Sequence, residues 1–442
     1  MKIFKIICLI LVNHQAVHAL DFQKCQKVIL ANKSLDDFLV IDEKGERKKE
    51  EQLNKDIEKL KANKDCLALI RYSELADNGL LKKRNPLASH ILKTFVQYHS
   101  KWLLPEDLDQ QPRCQDTFHR DIYDYESPAY HLTRALFQPS RKASMAVTSY
   151  ADLRALTKGE NPNQSEENSL SLEEVTEHFQ FNEEYQFKGQ GDLIGFLYQK
   201  RYSIKGNTIP QVGLDPQDWK NEFAKGSFNI FSHLGGGLIG NPYFIIANAP
   251  KEAFEKGLSQ SDGRNNLPRR LAKSIIENLL CQPLLSHNLK TLTHQSTWYH
   301  PLTQEQKCVN CHSVVDPLSA GLRNVTFVKS HSRCSKKSPQ VLIPRVFKGT
   351  GQQEIWQEKN ESPFHRSYPI GHLNGKRFVG FNQLGKLISE QTDFYSCQIK
   401  KYSALFGLKE LEPEKVTALA KQYQSHQNGL LMLEKLLKES AQ

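Results

Sequence analysis

Apolar residues recur at helical spacing in several stretches of this sequence. After Pro86, which suits a first helical turn, Leu87, Ile91, Leu92, Phe95, Val96 and Trp102 follow near that spacing. A second stripe, Leu267, Leu271, Ile275, Ile276, Leu279 and Leu280, follows Asn266 as an N-cap and predicts an amphipathic helix over Leu267–Leu280. Lys48–Asn63 interleaves Glu50, Glu51, Asp56 and Glu58 with lysines and predicts a charged surface helix. Over Phe381–Gln442 the pattern breaks at Gly407, Pro413 and Gly429 and predicts three or four short helices. The polar run Lys158–Glu174 reads as a long loop, and Gly189, Gly191, Gly206, Pro210 and Pro216 mark further loops. A short hairpin is expected around Arg345–Gly349. The pattern as a whole predicts a mainly α fold: a multi-domain helical protein with irregular segments.

Length and composition narrow the class. A chain of 442 residues is long enough for two to four domains, at the usual scale of about 100–200 residues each. Hydrophobic residues at 39% and charged residues at 24% exclude wholesale disorder. Beyond the first residues no apolar run approaches the roughly 18 needed to span a bilayer, so a polytopic membrane protein is excluded.

The first nineteen residues set the compartment. Lys2 and Lys5 precede the apolar run Ile6–Val12, and Ala16-Val17-His18-Ala19 offers small residues at a cleavage site. This reads as a secretory signal cut after Ala19, and it predicts an exported, periplasmic, soluble protein with no transmembrane segment in the mature chain. The formal charge of +10 falls to +8 once the two lysines leave with the signal. Lys and Arg are spread along the chain rather than gathered in a stripe, which argues against nucleic acid as a partner. Nine cysteines become eight without Cys8: Cys25, Cys66, Cys114, Cys281, Cys308, Cys311, Cys334 and Cys397. In an oxidising compartment such cysteines tend to pair, and sequence alone does not choose the connectivity.

Cys308-Val309-Asn310-Cys311-His312 carries the chemistry. Positions three and four apart share one face of a helical turn, so both thiols and the imidazole point the same way. The thiols can then add across the two vinyl groups of a haem, and His312 can ligate the iron from the proximal side; this is the c-type haem attachment motif. A zinc site would draw further ligands from Cys334, His300 or His331, and thiolate zinc is less expected outside the cytoplasm. A thioredoxin-like pair would want a strand–helix setting, whereas Gln304–Lys307 is polar. The glycine-rich run Ser232–Gly240 lacks the following Lys-Ser/Thr of a phosphate loop and reads as a tight turn beside a packed element.

The run Leu267–Pro283 ending in Leu279-Leu280-Cys281, then Cys308–His312, then Val315-Asp316-Pro317-Leu318 with Arg323-Asn324, resembles the planctomycete-type family of exported bacterial cytochrome c-associated proteins. Phe378, Leu384, Phe394, Cys397, Tyr402 and Phe406-Gly407 resemble the small helical domain that follows in that family. The similarity covers about residues 225–440, and more faintly the region Leu87–Trp102. It implies a haem protein and supplies no substrate. The chain departs from the commoner pattern after Pro317, where Ser319-Ala320-Gly321 stands in place of an acidic run. The expected organisation is a signal peptide over 1–19, a helical N-terminal domain over 20–157, a loop-rich linker over 158–215, a haem c-binding domain over 216–350 and a helical C-terminal domain over 351–442.

The sixth iron ligand is open at this level. Met432 lies among leucines at helical spacing and reads as core, while Met145 is remote in sequence. His300, His331, His365 and His372 lie nearer the motif, and His372 sits in Pro369–Gly375, a turn that could present it as a ligand. A surface role fits each of these histidines as well, and a five-coordinate or water-ligated iron is a further alternative. Cys281 ends one predicted helix and Cys397 opens another, Ser396–Phe406; the resemblance places them in adjoining domains flanking the haem segment, so a 281–397 bridge is expected, with Cys334 as the competing partner. The resulting expectation is periplasmic electron transfer to a redox partner protein through one covalent haem c. Its rivals are a haem enzyme or a subunit of a dehydrogenase or peroxidase, and an exported binding protein with a zinc or disulfide site.

Overall fold

The computed structural model describes residues 22–39, 47–104 (save 78, 80 and 84), 126–149, 152–156, 171–175, 236–248, 263–284, 314–322, 325–329, 342–346 and 371–439 (save 379). The fold is mainly α. In chain order the helices are α1 (Phe22–Ile29), α2 (Arg47–Asn63), α3 (Cys66–Arg71), α4 (Pro86–Leu103), α5 (Ser127–Phe137), α6 (Met145–Thr148), α7 (Pro242–Ala247), α8 (Gly263–Ser274), α9 (314–320), α10 (Gly380–Ser389), α11 (Thr392–Leu405), α12 (Pro413–His426) and α13 (Gly429–Glu439). Among the described residues three two-stranded antiparallel sheets accompany them: β1 (Asp152–Leu156) with β2 (Ser171–Val175), β3 (Val325–Lys329) with β4 (Leu342–Val346), and β5 (Gly371–Leu373) with β6 (Lys376–Phe378).

Local chemistry explains the helix ends. Asn85 accepts a hydrogen bond from the Ala88 amide at 3.0 Å, and Pro86 follows it, a pairing that starts α4 without losing a needed amide. Asp65 caps α3 in the same way through the Leu67 amide. Gln427 takes a left-handed conformation (φ 58°) to end α12, and Asn428 then caps α13 by accepting from the Leu431 amide at 2.9 Å. The breaks at Gly407, Pro413 and Gly429 thus separate real helices.

Elements from both ends of the described chain share one hydrophobic cluster. Cys25 and Ile29 of α1, Phe95 of α4, Phe137 of α5, Tyr395 and Tyr402 of α11, and Met432 of α13 all belong to it. Met432 is indeed core. Phe95 meets Phe137 edge to face at 5.0 Å between ring centres, and Tyr395 meets Tyr423 likewise at 5.2 Å. Polar links run along the same contact: Arg71 pairs with Glu434 at 2.7 Å, and the Ala143 amide donates to the Gln427 carbonyl at 2.9 Å. The Cys25–Cys66 disulfide (Cα–Cα 5.8 Å) pins α1 to the start of α3.

The glycine-rich run packs backbone against backbone. Gly236 and Gly237 adopt positive φ (76° and 55°) beside α6 and α10. A Cβ on Gly236 would lie 2.7 Å from the Phe381 carbonyl oxygen, and one on Gly237 would overlap the Ala146 carbonyl. Gly385 of α10 closes the junction from the other side, against the Val147 carbonyl. The run is a close-approach turn.

Two expectations need correction. The second stripe belongs to a helix that starts earlier, at Gly263, through polar residues that carry no apolar signal; Asn266 lies inside it and is not its cap. That helix then widens into a π turn over Ile275–Leu279, where the Leu280 amide reaches back to the Ile275 carbonyl at 3.2 Å. Arg345 lies on β4, which pairs with β3, Val325 opposite Val346, and residues 347–349 of the expected hairpin lie outside the described residues. Among the described residues β5–β6 is a tight hairpin, whose Asn374-Gly375 turn has φ of 49° and 77°, the positive pair a two-residue turn requires. Finally, Ser171–Val175 is strand rather than loop, paired with β1 in the register Asp152 to Val175. A backbone ladder satisfies polar residues as well as apolar ones, so alternation did not announce it.

Candidate functional site

Cys308, Cys311 and His312 lie outside the described residues, as do the signal segment 1–19, Cys114 and Cys334. The frame on either side of the motif is described. Upstream, α8 and its π turn run to Cys281, which is joined to Cys397 of α11 by a disulfide with Cα atoms 5.1 Å apart. This is the bridge expected from the sequence. Gln282 adds a hydrogen bond from Nε2 to the Asp393 carboxylate at 2.6 Å. Downstream, α9 begins two residues after His312 and buries Val315 and Leu318 in the common core. The two flanks are tied to each other: Arg269 of α8 donates from Nε to the Asp316 carboxylate of α9 at 2.7 Å. The segment carrying the motif therefore leaves from, and returns to, a fixed scaffold.

His372 is the central residue of β5, with Leu373 between it and the Asn374-Gly375 turn, half-buried and opposite Arg377 in the hairpin register. Met145 opens α6 and is half-buried.

Two histidines with no sequence proximity to the motif are completely buried, His99 on α4 and His131 on α5. Their environments differ. Thr133 Oγ1 donates to the Ala129 carbonyl, so it accepts from His99 Nδ1 at 2.7 Å; Tyr402 then donates from its hydroxyl to His99 Nε2 at 2.8 Å. The ring also meets Trp102 edge-on at 4.8 Å. Burial, helped by the Lys401 charge, pushes the His99 imidazole down to about 3, so it stays neutral. Both its nitrogens are used, which leaves none for a metal. Lys401, in turn, is pushed down to about 8 by burial and donates to the Asn278 carbonyl at 2.7 Å, tying α11 to the π turn.

His131 has no hydrogen-bond partner on either ring nitrogen. Burial first, then the neighbouring Arg141 and Arg134 charges, holds its proton affinity well below the ordinary histidine range. It is a neutral imidazole with an unused lone pair. An unpaired buried polar group costs on the order of 1–3 kcal/mol. In the sequence both histidines stand on the buried stripe of an apolar helix, and a polar residue on such a stripe is the available signal.

Among the described residues no group of three or more His, Cys, Asp or Glu side chains gathers as a metal cluster, and no helix is long and apolar enough to cross a membrane. No family model, curated protein or solved structure matches the chain, so the resemblance to the planctomycete-type family rests on its quoted motifs alone.

Proposed function

We propose that the chain is an exported c-type cytochrome that carries one covalent haem c and passes electrons to a periplasmic redox partner. The observation that carries this reading is Cys308-Val309-Asn310-Cys311-His312 in a chain with a secretory leader and disulfides. Cys308 and Cys311 serve as thioether anchors and His312 as the proximal ligand. The bound group supplies one-electron exchange at its iron. The residues around it supply position: the Cys281–Cys397 bridge fixes the chain before the motif, and the Arg269–Asp316 pair fixes the chain after it. A covalent anchor suits a group held in a segment strung between two such points.

The test is chemical. Produced with an export-side cytochrome c maturation system, the mature protein should stain for haem after denaturing electrophoresis, and the Cys308→Ala, Cys311→Ala double variant should not. Equal staining of the two would end the assignment. An exchangeable zinc with no haem would promote the binding-protein alternative.

A further inference from the structure

We propose that the Cys281–Cys397 disulfide is a thiol-exchange site, opened by an external thiolate that attacks Cys281 and expels Cys397 beside Lys401. The exchange needs no haem and stands apart from the cytochrome reading above.

The two bridges among the described residues differ in exposure. Cys25 and Cys66 are both buried, at 0% and 8% exposure. Cys397 is also buried, at 1%, whereas Cys281 is half-buried just past the π turn, so this bridge presents one of its cysteines towards solvent. Cys281 holds a left-handed backbone, φ 49°, where the Gln282 amide reaches back to the Ile276 carbonyl at 3.1 Å. Glycine or asparagine ordinarily fills such a helix-ending position. A cysteine there is strained, and the strain can ease once the bond that helps to hold it opens.

The leaving side is prepared as well. Lys401 stands four residues after Cys397 on one face of α11. Its Nζ donates to the Asn278 carbonyl oxygen at 2.7 Å, and Cys397 Sγ lies 3.5 Å from that same oxygen. A cation fixed beside a sulfur lowers the pKa of its thiol, and a thiol of lower pKa leaves faster.

The exchange balances. The thiolate's electron pair forms a new bond to Cys281 Sγ, the bond between the two cysteines breaks, and its pair departs on Cys397 Sγ, which takes a proton from Lys401 or water. A second thiolate removes the first as a disulfide and frees Cys281, so two electrons enter the protein and two external thiols are oxidised. The end of α8 and its π turn then lose their covalent tie to α11 and keep the hydrogen bonds from Lys401 to Asn278 and from Gln282 to Asp393.

The experiment treats the folded, oxidised mature protein, its free thiols first blocked with iodoacetamide, with reduced glutathione in the absence of denaturant. New thiols are trapped with N-ethylmaleimide and the peptides mapped. Cys281 should carry glutathione and Cys397 maleimide while Cys25 and Cys66 remain linked. Lys401→Gln, which keeps a donor but loses the charge, should open roughly threefold more slowly, and Lys401→Arg at the wild-type rate. At matched thiolate concentration, a thioredoxin-type dithiol protein that opens the bridge faster identifies a protein donor, and one that opens it no faster a small thiol. Glutathione on Cys397, a Cys25–Cys66 bridge that opens as fast, or a Cys281–Cys397 bridge that survives until urea unfolds the chain would each overturn the assignment. So would a Lys401→Gln protein that opens at the wild-type rate. The wild-type map decides the matter even where a variant does not fold.

Discussion

Arg269 grips Asp316 at two points, Nε at 2.7 Å from one carboxylate oxygen and Nη2 at 3.3 Å from the other. Neither side chain is fully exposed, and the pair spans the two ends of the stretch that holds Cys308–His312. Breaking a partly desolvated, forked pair strands the remaining charge. Arg269→Ala should therefore lower unfolding stability by about 1–3 kcal/mol, with Arg269→Lys recovering only part because an ammonium cannot make the fork. Urea unfolding at neutral pH checks both. An Arg269→Ala protein as stable as wild type would remove the pair from the frame.

Gly385 sets up an opposite-sign test. Glycine to alanine inside a helix ordinarily stabilises by about 1 kcal/mol. Here the new Cβ would run into the Val147 backbone carbonyl, and the facing glycine turn at Gly236 leaves no room to retreat. Gly385→Ala should lose about 3 kcal/mol instead, read as a lowered thermal midpoint.

Acid should weaken the fold before the carboxylates titrate. His99 binds its proton at about 3 when folded, against an ordinary value near 6.5 when unfolded. The unfolded chain therefore takes the proton first: the stabilisation is complete above pH 6.5 and drains away as pH falls towards 3. His99 alone should cost about 2 kcal/mol between pH 7 and pH 5. His131 is depressed in the same direction and adds to the loss. A pH series of urea midpoints measures the slope, which should be shallower in His99→Gln.

Cys281 and Cys397 lie 116 positions apart, and closing so long a loop is worth up to about 4–5 kcal/mol in the chain-entropy view. The Cys281→Ser, Cys397→Ser double variant should melt well below wild type. Peptide mapping under non-reducing conditions should recover Cys281 linked to Cys397 and Cys25 linked to Cys66. A linked peptide joining Cys334 to either Cys281 or Cys397 would rule the bridge out.

What was legible in the sequence was local. The stripe from Leu87 to Trp102 announces α4 because its period and its Asn85-Pro86 start agree, and Gly407, Pro413 and Gly429 mark helix ends by the same short-range chemistry. The π turn after Ser274 has no period to betray it, and β3 finds β4 across a dozen intervening residues. The Asn374-Gly375 dipeptide ends the Pro369–Gly375 turn read from the sequence and is itself a readable hairpin signal. For the candidate site, the motif was readable from spacing alone. His99 and His131 were not, because burial and the partners of a ring nitrogen are properties of packing: His99 meets a tyrosine 303 positions away.

That separation has a kinetic side. Lys24 donates to the Gly407 carbonyl at 2.8 Å across 383 positions, and Arg71 reaches Glu434 across 363. Contacts of such high contact order form late, since the chain must be searched before they reward it. The first helices cannot find these partners until residues 402–437 have emerged from the ribosome. On the export route proposed above, that delay would keep the N-terminal half unlocked during threading, with the fold latching on the far side.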